Sequence, residues 1–348
     1  MGKTAVVIIG RNEGKRLIGC LESVLAQLAA RDQTKDRARD RVVYVDSGST
    51  DGSCEAAREH QVAVVELDAA LPFTAARARN AGLAWLSQNV PGFSYVQFID
   101  GDCELSQDWF DQAIPYLDRD PLLAVVCGRR REREPDASPY NLLADMEWDT
   151  PVGEASACGG DALIRTEAIQ VVGGYNPALI CGEEPEMCIR LRHLGWKIER
   201  IQAEMTLHDA AIYRFGQWWK RSVRGGWAVA EGFAMYGSAP ERYMAREHFS
   251  GGLWGLIIPS LAVALAWPTH WLSLLLLLGY VPLALRIYRY RLTQFGDLPA
   301  HARLYAVLCT LSKFPQAAGQ FFYWLTRWRG QAATLIEYKF PVKEGAEL

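Results

Sequence analysis

Two aspartates at the end of an apolar run form the clearest chemical signal in this sequence. The segment from Val96 to Ile99 is followed at once by Asp100-Gly101-Asp102, which is typical of a buried strand that ends at the edge of a sheet. Side chains two residues apart on an extended chain point the same way, and the glycine permits a tight turn. Both carboxylates could therefore converge on one hard cation, Mg²⁺ or Mn²⁺, together with substrate phosphates. A strand that simply ends in a polar turn is the alternative.

The elements before these aspartates alternate between strands and helices. Apolar, β-branched runs at Thr4–Ile9, Val42–Val45 and Val62–Leu67 predict strands, and leucines at helical spacing follow the first run. This alternation predicts an α/β fold with a mostly parallel, Rossmann-like sheet and flanking helices. Ligands of such sheets bind outside the carboxyl ends of the strands, where the aspartates lie.

A loop of small polar residues, Asp46–Ser53, follows the second predicted strand. It matches neither the phosphate-binding P-loop nor the glycine pattern of dinucleotide folds. Asp46 could accept hydrogen bonds from a nucleobase or ribose, and Asp51 could cap the next helix. The residues alone leave a ligand contact and a capping turn equally open.

Length and composition set the wider frame. At 348 residues and a net charge of −3, the chain has room for two domains and shows no sign of nucleic-acid binding. Its eight cysteines form no Cys-x-x-Cys pair, so we expect no zinc site. We see no secretory leader, which favours a reducing, cytoplasmic setting. We predict a catalytic domain over residues 1–235 and membrane-associated helices over residues 236–348.

Several motifs, in this order, resemble those of the family 2 glycosyltransferases with a GT-A fold, and the resemblance covers roughly residues 4–230. It implies an inverting, hexosyltransferase-type enzyme that takes a sugar from a nucleotide-sugar, most commonly a UDP-sugar, with a divalent cation. The motifs are Ile9–Glu13, Asp46–Ser53, Arg79–Gly82, Asp100–Asp102, Gly159–Asp161, Val172–Tyr175 and Gly182–Glu186.

The resemblance implies roles for the residues that match these motifs. Asn12, Glu13 and Asp46 would hold the base and ribose of the donor nucleotide. Asp100 would contact the ribose or the waters of a bound cation. Asp102 would ligate that cation, which stabilises the charge of the departing nucleoside diphosphate.

A histidine late in the chain is a second candidate metal ligand. His208 follows a predicted strand, Trp196–Ile201. Several GT-A enzymes supply a late histidine to the metal, so by analogy His208 could join Asp102. A purely structural histidine is the equal alternative.

Inverting transfer also needs a base that takes the proton from the acceptor hydroxyl. Glu183 and Glu184 stand at the start of a predicted helix, where the helix dipole favours carboxylates. The family usually carries Glu-Asp here with the second acid as base. We therefore assign the base to Glu184 and keep Glu183 as the alternative.

Two basic elements have two interpretations each. Arg79 could bind the diphosphate with its guanidinium, or lie on a solvated helix face. The charged run Gly128–Glu134 predicts a solvated loop, which near the rim of the site could contact a pyrophosphate acceptor.

The segment Gln217–Arg221 resembles the Gln-x-x-Arg-Trp motif of processive synthases. The arginine is one residue late and no tryptophan follows it, so we do not predict a processive enzyme. Arg221 and Arg224 could contact phosphate. Trp218 and Trp219 could stack on a sugar, lie at a lipid interface, or pack in the core.

The window Leu253–Leu285 contains no charged residue. It holds two apolar segments of about 15 residues around Trp267–Trp271, each below the roughly 20 needed for a comfortable span. Arginines flank the window on both sides, which predicts an apolar hairpin with both ends in the cytoplasm. A buried helix pair of a soluble domain is the alternative. Residues 304–328 predict an amphipathic segment along the membrane surface.

Together these features predict a glycosyltransferase on the cytoplasmic face of the inner cell membrane, which builds a surface polysaccharide on a glycan or polyprenyl-linked acceptor. A membrane-anchored, non-catalytic nucleotide-sugar-binding scaffold and a nucleotidyltransferase are the alternatives. The nucleotidyltransferase is disfavoured because Gly10–Gly14 lacks its glycine-rich opening. The scaffold is disfavoured because every expected acid is present.

Overall fold

A computed structural model describes residues 3–31 and 38–331 of the chain. It divides into two compact units, one made of residues 1–133 and 147–210, the other of 134–146 and 211–348. Residues 332–348 of the predicted membrane-associated region lie outside the described residues. None of the eight cysteines, all of which are described, forms a disulfide.

The first unit is built on a mixed sheet. Its strands are β1 (Thr4–Gly10), β2 (Val42–Asp46), β3 (Ala63–Glu66), β4 (Tyr95–Asp100), β5 (Cys103–Leu105), β6 (Leu123–Glu132), β7 (Gly153–Glu154), β8 (Ala162–Arg165) and β9 (Lys197–His208). They lie in the order β3-β2-β1-β4-β8-β6-β9-β5, and β7 pairs with β9. The pairings from β3 to β4 are parallel, whereas β8 runs antiparallel to both neighbours.

The register of the parallel strands gathers acids at one edge. Ile9 of β1 faces Asp100 of β4, and Gly10 faces Asp46 of β2. Two inter-strand spacings therefore separate the two aspartates, about 10 Å at the usual strand distance. β1 and β2 are almost wholly buried, because apolar side chains line both of their faces. The predicted strands are confirmed, and their carboxyl ends meet as expected.

Two strands differ from what the sequence predicts. The charged run Gly128–Glu134, for which no strand was predicted, is mostly part of β6, so the solvated-loop interpretation is wrong. β9 continues past Ile201 and ends at His208, so the histidine lies within a strand. β6 and β9 pair in parallel over this length, with register irregularities around Cys127 to Arg130. Such irregularities re-aim side chains, and here they accompany an arginine that points into the site.

Helices flank this sheet and form the second unit. They are α1 (Lys15–Arg31), α2 (Ser53–Glu59), α3 (Ala75–Asn89), α4 (Trp109–Arg119), α5 (Pro139–Glu147), α6 (Thr166–Val171), α7 (Glu183–His193), α8 (Phe215–Tyr236), α9 (Ala245–Gly252), α10 (Ile258–Ala264), α11 (Tyr280–Tyr290), α12 (Pro299–Leu311) and α13 (Lys313–Trp328). The α/β class with a C-terminal helical region is thus as predicted.

In the second unit, α13 packs directly on α8 through glycines. A Cβ at Gly226 would lie 2.1 Å from the carbonyl oxygen of Gln316, and one at Gly319 would lie 2.0 Å from that of Val223. Small residues let helix backbones approach this closely. The predicted amphipathic segment is therefore two helices, α12 and α13, of which α13 buries one face against α8.

The apolar window forms two helical arms joined by a turn at Leu265–Trp271. The second arm is one helix, Leu272–Phe295, with 24 residues, and its most apolar window is only 6% buried. By length and composition it is the one helix among the described residues that could cross a membrane. The sequence-based length of this arm was too short, because the helix continues through its first arginines.

Candidate active site

The site is organised by the tight turn that follows β4. The backbone N–H of Gly101 donates to the carbonyl of Ile9 at 2.8 Å. Asp100 keeps 28% of its side chain exposed, whereas Asp102 is almost fully buried. The chain then enters β5, which pairs with β9. Strand, turn and strand therefore hold two carboxylates at fixed positions on the carboxyl edge of the sheet.

Arg79 of α3 joins three carboxylates. Its guanidinium lies 2.9 Å from Asp100, 2.7 Å from Glu183 and 3.0 Å from Glu184. Only 2% of the residue is exposed, so the solvated-face interpretation is wrong. Burial alone would lower the pKa of Arg79, but Glu184, Asp100 and Glu183 together raise it well above its usual value. Arg79 is a permanent cation that fixes the two glutamates next to Asp100.

A second arginine approaches Asp100 from β6. Arg130 lies 3.3 Å from Asp100 and 2.7 Å from Asp161. The wholly buried Asp161 also accepts from the backbone N–H of Asp100 at 3.1 Å and from the hydroxyl of Thr206 at 2.7 Å. Burial opposes ionisation of Asp100, yet Arg79 and Arg130 hold the pKa of its carboxyl below the usual value. Asp100 is thus kept as a carboxylate.

Gly160 lies against this network. A Cβ built on it would be 2.7 Å from Nη2 of Arg79, 2.9 Å from Oδ2 of Asp100 and 3.3 Å from Oε1 of Glu184. Three groups from distant parts of the chain therefore come within reach of one point. A side chain at residue 160 would force at least one of them to move.

Gly160→Ala is expected to lower kcat by about a hundredfold, because misplacing a catalytic group by 1 Å can cost that much. The measurement is turnover of the donor substrate, with the melting temperature as a check on folding. Gly159→Ala is the matched control, since its Cβ would meet nothing within 4 Å. Equal effects of the two substitutions would contradict the proposed close approach.

Asp102 and His208 form a pair beside this network. Cys103 of β5 lies opposite His208 of β9, which brings Nε2 of His208 to 3.5 Å from Oδ2 of Asp102. Nδ1 of the histidine lies 3.6 Å from the buried Glu132. The ring also contacts Trp148 edge-on, with centroids 4.7 Å apart. The imidazole is therefore held from several sides, with one nitrogen directed at Asp102.

Asp102, Cys103 and His208 each place one ligand atom within 4.8 Å of the others, as a metal site requires. The thiol is the weak member, since burial raises the pKa of Cys103 well above its usual value. A protonated thiol is a poor ligand. The carboxylate oxygen and the imidazole nitrogen are the donors that remain.

Glu184 has the electrostatics of a base. It lies in the first turn of α7, as predicted. Burial, followed by the neighbouring charge of Glu183, raises the pKa of Glu184 to about 7, although Arg79 opposes the shift. A carboxylate with such a pKa takes up a proton far more readily than an ordinary glutamate.

The predicted donor-binding residues lie at the neighbouring strand ends. Asp46 is buried, and its carboxylate accepts from the hydroxyl of Tyr44 and from the N–H groups of Gly48 and Ser49, at 2.8 to 2.9 Å. It therefore shapes its own loop. Asn12 has a left-handed φ of 55°, and its side-chain oxygen accepts from the N–H of Thr50 at 2.8 Å. The two predicted nucleotide-binding loops are thus tied together.

Glu13 is engaged in ion pairs at the same edge. Its carboxylate lies 2.8 Å from Arg16, and Arg16 lies 3.9 Å from Asp209. The backbone N–H of Asp209 donates to the carbonyl of Asp102 at 3.1 Å. Glu13 therefore belongs to a chain of contacts that connects the loop after β1 to the turn after β4.

The aromatic and basic residues of α8 lie in the second unit. Trp218 is buried, and its ring stacks on Tyr140 with centroids 5.9 Å apart, so core packing is its role. Trp219 is 36% exposed. Arg221 and Arg224 are partly buried on the same helix. The structure therefore places all four residues on one helix of the second unit.

Arg130, Asp161 and Glu132 were not predicted as site residues. Asp161 belongs to a motif used only for the resemblance, and Arg130 and Glu132 belong to the run interpreted as a loop. The usable signal was the short apolar run Leu123–Cys127, which is typical of a buried strand and leads directly into the charged residues.

With this geometry established, comparison with known proteins decides the family. A family model described as glycosyl transferase family 2 matches residues 5–169. The chain carries a family 2 glycosyltransferase domain. This transferase domain confirms the predicted family and enzyme class.

Two relatives bear glycosyltransferase names. The chain is 24% identical over 279 residues to glycosyltransferase AglE of Haloferax volcanii, over 77% of this chain and 83% of that protein. It is 27% identical over 145 residues to the pre-mycofactocin glycosyltransferase of Mycobacterium tuberculosis, over 38% of this chain and 30% of that protein.

Solved structures share the fold of this glycosyltransferase. The mannosyltransferase PcManGT from Pyrobaculum calidifontis, in complex with GDP-Man and Mn²⁺, matches with a TM-score of 0.61 at 19% identity, over 92% of this chain and 87% of that one. TarS 1–349 of S. aureus matches with a TM-score of 0.51 at 14% identity, over 94% of this chain and 92% of that one. At such identities the likeness concerns the fold alone, and it confirms the predicted GT-A class.

Proposed function

We propose that this glycosyltransferase moves a sugar from a nucleotide-sugar to an acceptor hydroxyl with inversion, and that it depends on a divalent cation. The observation that carries the proposal is the convergence around Gly160, where Glu184, Arg79 and Asp100 approach one point. The pair of Asp102 and His208 follows directly along the chain and the sheet from Asp100. A base and a metal-binding pair are what such a transfer needs.

Asp102 and His208 would hold the cation. One carboxylate oxygen and one imidazole nitrogen, 3.5 Å apart, suit Mn²⁺ or Mg²⁺ that completes its shell with waters and substrate phosphates. When bound, the cation stabilises negative charge on the departing nucleoside diphosphate. The complex of PcManGT with GDP-Man and Mn²⁺ supports a nucleotide-sugar donor and a divalent cation for the present chain.

Glu184 would act as the base. The acceptor oxygen forms a bond to the anomeric carbon while the bond from that carbon to the diphosphate oxygen breaks. The hydroxyl proton passes to the carboxylate of Glu184, whose pKa of about 7 suits proton uptake near neutral pH. Arg79 keeps the carboxylate at 3.0 Å from its guanidinium and so orients it. Glu183 shares that arginine, and its charge adds to the effect of burial in raising the pKa of Glu184.

Nucleoside diphosphate release from a panel of donors tests the proposal. The purified full chain is incubated with UDP-, GDP- and dTDP-sugars, with Mn²⁺, with Mg²⁺ and with EDTA. We expect release from one donor class, with a UDP-sugar as the first candidate, and only with a divalent cation. Release that persists in EDTA would overturn the metal dependence, and no release from any donor would overturn the proposed transfer from these nucleotide-sugars.

The acceptor is proposed to be a glycan or a polyprenyl-linked sugar in surface polysaccharide biosynthesis, at the cytoplasmic face of the cell membrane. The support is the apolar hairpin. Trp267 and Trp271 at its turn are 83% and 62% exposed, and Leu275 and Leu278 are 59% and 61% exposed. This exposure does not fit a buried helix pair, and a bilayer would cover these side chains.

The double substitution Leu275→Glu and Leu278→Glu is expected to release the protein from membranes. Each charge placed in the hydrocarbon core costs about 3 kcal/mol, and the wild-type side chains are exposed. Flotation with phosphatidylcholine vesicles measures the bound fraction. Leu71→Glu is the matched control, since Leu71 is 56% exposed in the first unit. If both variants float like the wild type, the hairpin does not hold the protein to the bilayer.

A further inference from the structure

A groove in the second unit lies at the base of the apolar hairpin. Its volume is about 780 Å³, within the range of small-molecule sites. It is lined by α9, by both arms of the hairpin and by the start of α13. Its apolar lining residues are Phe249, Leu253, Trp254, Leu283 and Ile287.

The polar part of the groove is predominantly cationic. Arg246, Arg286 and Lys313 all line it, and the only carboxylate among its lining residues is Glu247. Burial lowers the pKa of Lys313, and the charge of Arg246 lowers it further against the opposing effects of Cys309 and Glu247. Arg246 and Lys313 thus lie close enough to repel each other, and an anion placed between them would relieve that repulsion.

Close backbone packing fixes the walls. A Cβ at Gly255 would lie 2.0 Å from the carbonyl oxygen of Lys313, so the first arm touches the start of α13 directly. The hydroxyl of Tyr280 donates to the carbonyl of Trp254 and ties the two arms together. The ring of Tyr280 also stacks on Phe314, with centroids 5.8 Å apart. The groove is therefore a built feature of the folded unit.

We infer that this groove binds one anionic phospholipid, with the phosphate among Arg246, Arg286 and Lys313 and an acyl chain along the apolar lining residues. Charge complementarity favours an anion, because three basic side chains and only one acidic side chain line the groove. The hairpin arms that line the groove also carry exposed leucines, which favours a lipid over a soluble phosphate. The inference rests on the membrane association proposed above and is independent of sugar transfer.

Native mass spectrometry of the full chain in a mild detergent tests the inference. The probes are phosphatidylglycerol, phosphatidylcholine and inorganic phosphate. We expect one phosphatidylglycerol to stay bound to the wild type, with weaker retention of phosphatidylcholine. The double variant Arg286→Gln, Lys313→Gln should lose phosphatidylglycerol affinity by about tenfold or more, as expected for two cations that contact one headgroup.

Arg289→Gln is the matched control, since Arg289 is an exposed arginine of the same helix that does not line the groove. Its variant should retain the lipid. Equal losses in the control and the double variant would show general attraction and overturn the site. Equal retention of the two lipids would also overturn the site, and so would displacement of phosphatidylglycerol by inorganic phosphate at equal concentration.

Two further readouts separate this inference from the earlier proposals. Asp102→Asn should retain the lipid even if turnover is lost, so a failed transferase assignment leaves the groove standing. If the wild type floats equally with neutral and anionic vesicles and retains no lipid, the groove is refuted while membrane association stands. If the wild type floats with neither type of vesicle, both the lipid-binding groove and the membrane association are refuted.

Discussion

Glu184→Gln is expected to lower kcat by about 10³-fold, within the range attributed to general-base catalysis. Glutamine keeps the shape of the side chain and an oxygen that can face Arg79, now 3.0 Å from the carboxylate, but it cannot take up a proton. Steady-state release of nucleoside diphosphate in the presence of acceptor measures the effect. Glu167→Gln, at an exposed glutamate of α6, is the control. Full activity of the Glu184 variant would place the base elsewhere.

The pH profile gives the same residue a second test. Glu184 is active as a base only when ionised, and its pKa is raised to about 7. Turnover should therefore rise with pH through 7 and level off above about pH 8, falling tenfold per unit on the acid side. A glutamate with an ordinary pKa would instead place this rise in turnover near pH 4 to 5. A flat profile between pH 5 and 8 would contradict the assignment.

Glu183→Gln separates the two glutamates. The negative charge of Glu183 is the second cause of the raised pKa, after burial. Its removal should lower the pKa of Glu184 and also leave Arg79 with one partner fewer. The acid limb should then move to lower pH while most of kcat at pH 8 remains. Loss of kcat at every pH would instead make Glu183 the base.

The carboxyl edge of the sheet could be predicted because its signals are local. Apolar strands that end in Asp46 and Asp100 are visible within windows of six or seven residues, and parallel strands bring such ends together. The helix that begins at Glu183 is equally local. These parts of the fold follow from hydrophobic patterning, and the structure places them as the pattern indicates.

The second arginine and the buried aspartate could not be predicted, because their partners are remote. Arg130 and Asp161 are 31 residues apart, and Thr206 is 45 residues beyond Asp161. They meet only because β8 is inserted between β4 and β6 with antiparallel pairing. Strand order is not encoded in periodicity, so a buried ion pair on β6 looks like a solvated run in the sequence.

The hairpin shows a different limit of sequence-based prediction. The uncharged window ends just before Arg286, whereas the helix continues to Phe295, because backbone hydrogen bonding does not stop at a charged residue. Arg291 near its end is buried, 2.5 Å from Asp297 and 3.9 Å from the ring centroid of Phe295. A paired and covered arginine can end an apolar helix without contact with lipid.

Asp102→Asn is expected to lower turnover by about a thousandfold, comparable to losing a principal stabiliser of transition-state charge. Asparagine preserves the shape of the side chain and leaves the backbone contact from Asp209 to the carbonyl of residue 102 in place. What it removes is the negative charge beside His208. Asp111→Asn, at an aspartate that is 68% exposed, is the matched control.

The metal role predicts more than a loss of rate. If Asp102 and His208 hold the cation, Asp102→Asn and His208→Ala should each weaken Mn²⁺ binding in the presence of nucleoside diphosphate, measured by titration calorimetry or electron paramagnetic resonance. Raising the Mn²⁺ concentration should then restore part of the turnover of both variants but none of the turnover of Glu184→Gln. The rescue should differ in this way because Asp102 and His208 would bind the metal, whereas Glu184 would take up the acceptor proton. Equal rescue of all three variants would refute this division of roles.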